Sequence, residues 1–322
     1  MPVPRRAIAV LACFPAMAIH GQQKQVSAPV AGYVFDGAAL RPINGVPGGA
    51  TLGEALDLGL AASAAAVSPQ LDSAIVTASD GALHLFRLSG HSVTEVSWNG
   101  VPHGPAQMVY SPSGTAAALY AAGRVQVFSG LPNAPVLVFT SELGPPAPER
   151  GRQSTSAAPQ AIAVSDDAAW LLVVSEGRVR LLGSSGSSRV LLEGARGISV
   201  AFAPGNHAAA ILSAGQWLEI LSDVSAGASQ TIAATDLAEP VGLAFSADGK
   251  LALAASRTSR SVTIFDLAGH RTDTLDCACA PTTVARMGNL FRLTEAGPGP
   301  IWLVDMSANP ARLVFVPART NP

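Results

Sequence analysis

The sequence predicts an all-β chain folded as a propeller, and three observations carry that prediction. A strand-like triplet recurs seven times, as Tyr33-Val34-Phe35, His84-Leu85-Phe86, Gln126-Val127-Phe128, Arg180-Leu181-Leu182, Glu219-Ile220-Leu221, Thr263-Ile264-Phe265 and Trp302-Leu303-Val304. Successive triplets lie 39 to 54 residues apart. The two longest gaps each hold an insertion, Gly48 to Ala62 and Gly144 to Pro159. Without those the period is about forty residues, the length of a four-stranded blade. Third, an apolar segment ending in a tight turn precedes most triplets: Ala66-Val67-Ser68-Pro69, Val109-Tyr110-Ser111-Pro112, Ala163-Val164-Ser165-Asp166, Ala201-Phe202-Ala203-Pro204 and Ala244-Phe245-Ser246-Ala247-Asp248-Gly249.

Each unit reads as strand a, turn, strand b, loop, strand c, turn, strand d. Ser, Pro, Asp and Gly at the first turn suit its geometry. Unbroken apolar runs, such as Leu251-Ala252-Leu253-Ala254-Ala255, suit strands covered on both faces by neighbouring blades. The triplet falls on strand c in this scheme. The first unit, Val30 to Val46, supplies only strands c and d, whereas the last, Thr282 to Pro317, contains all four. The expectation is a seven-bladed ring with a thin first blade, the alternative being six blades plus an N-terminal hairpin. Docking that hairpin beside the last blade would cover an edge strand.

Ala244-Phe245-Ser246-Ala247-Asp248-Gly249-Lys250-Leu251, followed by Val262-Thr263-Ile264-Phe265-Asp266-Leu267, resembles the YVTN and WD-repeat-like propellers of bacterial secreted proteins. Elsewhere the hydrophobic rhythm persists over residues 30–318 without the signature residues. The resemblance implies export, with a lactonase-like role as one alternative.

The N-terminus agrees with export. Arg5 and Arg6 precede an apolar run from Ala7 to Ile19 and a polar exit beginning at His20, the three regions of a secretory signal over residues 1–21. Val10-Leu11-Ala12-Cys13 leaves a lipid anchor at Cys13 as a minor alternative. Residues 22–29 read as a linker, 30–318 as one propeller domain and 319–322 as a tail. The expected location is secreted or periplasmic, with no transmembrane segment and a monomeric chain.

Charged residues make up only 13% of the chain, with a net charge of −2, about half the usual charged share. Nothing in that balance favours nucleic acid as a partner. A protein or a small polar ligand is expected instead. There is no Gly-x-Ser-x-Gly elbow, His-Glu-x-x-His, phosphate loop or acidic calcium loop. No cofactor, metal or catalytic residue is therefore assigned. Cys277 and Cys279 could close a disulfide in an oxidising compartment, but buried or capped thiols are the favoured reading of so small a ring.

Propeller sites usually lie in the funnel formed by the b–c and d–a loops. The repeat register places His91 and His270 in c–d turns and His207 in an a–b turn, on the opposite face. Funnel-face candidates are Asp80, Glu176, Arg257, Arg260 and Glu295 from b–c loops, with His103, Arg196 and Glu239 from d–a connections. These residues could contact a ligand or partner, or form solvated loop tips. The leading reading is a secreted binding or scaffold module. The alternatives are a lactonase-like hydrolase working from scattered Arg and Glu, and a small-molecule or glycan sensor.

Overall fold

A computed structural model describes residues 28–143, 159–193, 197–213, 217–226, 228–233 and 237–319. The signal segment with Cys13, the proline-rich stretch Gly144 to Arg152 and Arg196 lie outside the described residues, as do parts of the linker and tail. Every described element is a strand. No helix long and apolar enough to cross a membrane occurs among the described residues.

Seven antiparallel sheets stand in a ring. Blade 1 holds β1 (Val30–Phe35), β2 (Leu40–Asn44) and β3 (Thr51–Leu52). Blade 2 holds β4 (Ala62–Val67), β5 (Ser73–Ala78), β6 (Leu83–Ser89) and β7 (Ser92–Val96). Blade 3 holds β8 (Gln107–Tyr110), β9 (Ala116–Ala121), β10 (Arg124–Ser129) and β11 (Val136–Glu142). Blade 4 holds β12 (Ala161–Val164), β13 (Trp170–Ser175), β14 (Arg178–Gly183) and β15 (Ser188–Leu192). Blade 5 holds β16 (Gly197–Phe202), β17 (Ala209–Ser213), β18 (Trp217–Asp223) and β19 (Ala228–Ala233). Blade 6 holds β20 (Pro240–Phe245), β21 (Leu251–Ser256), β22 (Ser261–Asp266) and β23 (Arg271–Asp276), and blade 7 holds β24 (Ala285–Met287), β25 (Leu290–Arg292), β26 (Ile301–Asp305) and β27 (Arg312–Val316).

The seven-bladed ring with a thin first blade is therefore the observed fold. One register assignment needs correction. Six triplets lie on third strands, but Tyr33-Val34-Phe35 lies on β1, which packs against β4 and β24 as the innermost strand of its blade. Blade 1 has three strands, not a hairpin, and lacks an outermost partner. The triplet misled because two apolar residues after a variable one suit any strand covered on both sides.

The inner strands β1, β4, β8, β12, β16, β20 and β24 touch in turn around the ring. Between blades lie apolar clusters, such as Val200, Phe202 and Ile211 of blade 5 against Leu172, Val174 and Leu181 of blade 4. Phe128, Phe202, Phe265 and Phe291 are among the largest buried side chains, and burial of each contributes about 2 kcal/mol. The a–b turns explain their recurrent serine. Ser111, Ser165 and Ser246 are buried, and their hydroxyls accept N–H bonds from Ala116 (3.1 Å), Trp170 (3.0 Å) and Leu251 (3.0 Å). Ser165 and Ser246 then donate to Asp167 and Asp248 at 2.6 Å. A hydroxyl that both accepts and donates closes a turn whose backbone groups would otherwise be buried without partners.

Candidate functional site

All seven inner strands line one central cavity of about 480 Å³. Its wall is mixed: strand a supplies small or aliphatic residues, including Val34, Ala66, Val109, Val164 and Ala244, beside polar groups such as Tyr110 and Ser111. Among the described residues, three charged side chains line it: Arg286, Arg292 and Glu295. Arg292 and Glu295 pair through two hydrogen bonds, at 2.6 and 3.3 Å, and belong to the b–c region of blade 7.

Arg286 is different in kind. It sits on β24 and is 8% exposed. Its guanidinium donates to the Gly288 carbonyl at 3.3 Å and, across the ring, to the Pro112 carbonyl in the a–b turn of blade 3. Burial pulls its pKa down, and the negative charge of Asp166 opposes that. No carboxylate among the described residues forms an ion pair with it. The Gly288 N–H also bonds the Pro69 carbonyl of blade 2 at 2.8 Å. Together these bonds tie blade 7 to blades 2 and 3 at the a–b turn end of the channel.

Of the eight sequence candidates, Glu295 alone is placed on the cavity wall among the described residues. Asp80 accepts the Ala82 N–H at 2.8 Å within its own turn. His103 is exposed and lies against Gly81, where a Cβ would stand 2.3 Å from its ring. Glu176 is an exposed turn residue. Glu239 accepts the Thr258 hydroxyl at 2.7 Å, and its carbonyl accepts the Arg257 N–H at 3.1 Å. Arg260 donates to the carbonyls of Cys279 (3.0 Å) and Ala278 (2.9 Å). The structure therefore groups Glu239 with Arg257, keeps Arg257 and Arg260 in one b–c loop of blade 6, sets His103 against the Gly81 that follows Asp80, and leaves Glu176 and Glu295 on blades 4 and 7. Sequence reasoning missed Arg286 and Arg292. The available signal was register: Arg286 pairs with Phe291 as Phe245 pairs with Ala252, so it replaces an apolar inner-strand residue.

Cys277 and Cys279 are joined by a disulfide, not left as the capped thiols favoured from sequence. The physical reason is the grip of Arg260. Its carbonyl accepts the Cys277 N–H at 2.7 Å while its guanidinium holds the next two carbonyls. The segment from Cys277 to Cys279 is thereby held folded, with the Cα atoms of its two buried cysteines 4.9 Å apart. The described residues contain no group of three His, Cys, Asp or Glu able to hold a metal ion.

On the opposite face, His207 Nε2 meets Asp167 at 2.8 Å. His91 and His270 occupy c–d turns of blades 2 and 6. These three histidines stand away from the funnel loops, as the repeat register predicts.

No family model matches the sequence, and no curated protein matches it. Solved structures share its shape. One is the crystal structure of a functionally unknown protein from Desulfotomaculum acetoxidans DSM 771, at a TM-score of 0.59 and 13% identity, covering 88% of this chain and 94% of that one. At that identity the likeness establishes the propeller fold and nothing about activity.

Proposed function

We propose that this chain is an exported binding module that holds a protein partner along the outer strand of blade 3. One observation carries the reading. β11 leaves Val136, Leu137 and Val138 exposed by 59%, 44% and 40%. The pairing of β10 with β11 slips between Val127 and Phe128, so Val138 is an extra residue and three apolar side chains in succession stay uncovered. Its unpaired edge carries no charge before Glu142. By contrast β23, Arg271-Thr272-Asp273-Thr274-Leu275-Asp276, guards the same position in blade 6 with charge. Edge strands without such guards pair with other strands, and an extended partner segment adding beside β11 uses that property.

Export to the periplasm or medium is supported by the charged, apolar and polar order of residues 1–21. The YVTN-like blade from Ala244 to Leu267 supports the same reading. A hydrolase would need converging groups, and of the described rim arginines and glutamates only Arg292 and Glu295 line the cavity, where they pair with each other.

A photo-cross-linking residue placed at Val138 tests the proposal against the same residue at Thr272. The expected result, in cells that make the protein, is one discrete adduct at 138 only, abolished by Val136→Lys. The same adduct pattern from both sites, or bare monomer from both, sinks the proposal.

A further inference from the structure

The channel poses a separate question, because Arg286 is buried in it and forms no ion pair among the described residues. Arg286 offers five N–H donors, and two of its hydrogen bonds go to the carbonyls of Gly288 and Pro112. The carboxylate whose charge it feels, Asp166, is engaged elsewhere. Oδ1 of Asp166 accepts the Ser113 N–H and hydroxyl, each at 2.6 Å, and Oδ2 accepts the Gly205 N–H at 2.7 Å. Burying an unpaired charge is costly, and carbonyl acceptors offset only part of the loss. A brace between blades 3 and 7 does not require a charge. A neutral side chain of the same length would span the gap without that cost.

The remaining charges on the wall narrow what could complete the site. Arg292 and Glu295 neutralise each other, so the three charged lining residues leave a net charge of +1. The rest of the wall is strand a, with Val34, Ala66 and Val109 among its residues. A volume of about 480 Å³ is in the range that encloses a small organic molecule. One net positive charge is matched by a single negative charge, and a dianion would leave a buried excess. One planar fork of donors matches one carboxylate.

We infer that the central channel binds a small amphipathic monocarboxylate, its anionic head on Arg286 and its apolar body against the inner strands. This inference is independent of the partner surface on β11. It concerns the inner edges of the sheets, whereas β11 is the outer edge of blade 3. Entry of the carboxylate brings the net charge of the lining from +1 to neutral.

The probe is octanoate, with octan-1-ol as its uncharged counterpart, measured by isothermal titration calorimetry. Octanoate is expected to bind the full chain one to one, and more tightly than octan-1-ol by about tenfold or more. Arg286→Met should bring octanoate down to the affinity of the alcohol while leaving the alcohol unchanged. Ala66→Trp narrows the channel and keeps Arg286, and should abolish binding of both probes. If Arg286→Met fails to fold, as judged by its circular-dichroism melt, the wild-type preference and Ala66→Trp decide the matter. Absence of octanoate binding, equal affinity for both probes, binding unmoved by Arg286→Met, or binding unmoved by Ala66→Trp overturns the inference.

Discussion

The two faces of the ring are held by different means. On the a–b turn face, side chains bridge from blade to blade. Asp166 of blade 4 joins Ser113 of blade 3 and Gly205 of blade 5, and its carbonyl accepts the Thr115 hydroxyl at 2.9 Å. His207 of blade 5 meets Asp167 of blade 4, and Arg286 reaches from blade 7 to blade 3. On the funnel face most polar pairs stay inside one blade, as in Arg124 with Glu142 (2.7 Å), Glu239 with Thr258 and Arg292 with Glu295. Exceptions are few: Gln107 donates to the Pro159 carbonyl, the Gly104 N–H bonds Gly81 across blades 2 and 3, and Arg319 pairs with Glu54 at 2.5 Å. The difference teaches a division of labour. One face fixes the ring, which frees loops on the other to vary in sequence without opening it.

The strongest way to break that comparison is Asp166→Ala. It removes three bonds to two neighbouring blades, so a loss of about 3 kcal/mol is expected in urea unfolding. Glu239→Ala removes one exposed contact within a blade and should stay within about 0.5 kcal/mol. Equal losses from the two variants would mean that bridging between blades is not what holds the ring.

The same contrast explains what could be read in advance. Turn-face chemistry was legible because Ser165-Asp166-Asp167 and Ser246-Ala247-Asp248-Gly249 are local motifs, each satisfying its own backbone. The third strands of six blades were legible for the same reason, through repetition. Arg286 was not, because β24 is three residues long and its partner at Pro112 lies 174 residues away. Blade 1 was misread in register because nothing in Tyr33-Val34-Phe35 says which neighbours cover it. Long-range placement decides both cases, and hydrophobic rhythm carries no information about it. The described rim charges sit in b–c and d–a loops, but their partners, such as the Cys279 carbonyl for Arg260, depend on how a loop folds back.

A smaller effect is expected at the closure seam, where blades 1 and 7 meet without a shared strand. Gly32 of β1 lies against Met287 of β24, and a Cβ there would stand 2.9 Å from the sulfur. Gly32→Val should cost about 1–2 kcal/mol, because a flexible methionine can move aside only in part. Arg319→Ala, which cuts the exposed pair to Glu54 near the other end of the seam, should cost below about 0.5 kcal/mol. A larger loss from Arg319→Ala than from Gly32→Val would place the closure on the ion pair and not on packing.

The smallest expected effect is in acid, and its sign follows from the turns. Burial raises the pKa of Asp167, but hydrogen bonds from Ser165, the Ala169 N–H and His207 outweigh it and hold the carboxyl low. A hydrogen bond from Ser246, partly opposed by burial, does the same for Asp248. Groups whose folded pKa is depressed add stability above their unfolded value, near pH 4. That stability is lost as pH falls through the lower folded values. Melting temperature should therefore hold steady from about pH 7 to 5 and drop below about pH 4. Asp167→Asn with Asp248→Asn should melt about 1 °C lower at neutral pH and draw level with the wild type in acid, since both carboxylates are then protonated anyway. Parallel curves at every pH would show that these carboxylates act through turn geometry and not through charge, and the turn face would then differ from the funnel face in connectivity alone.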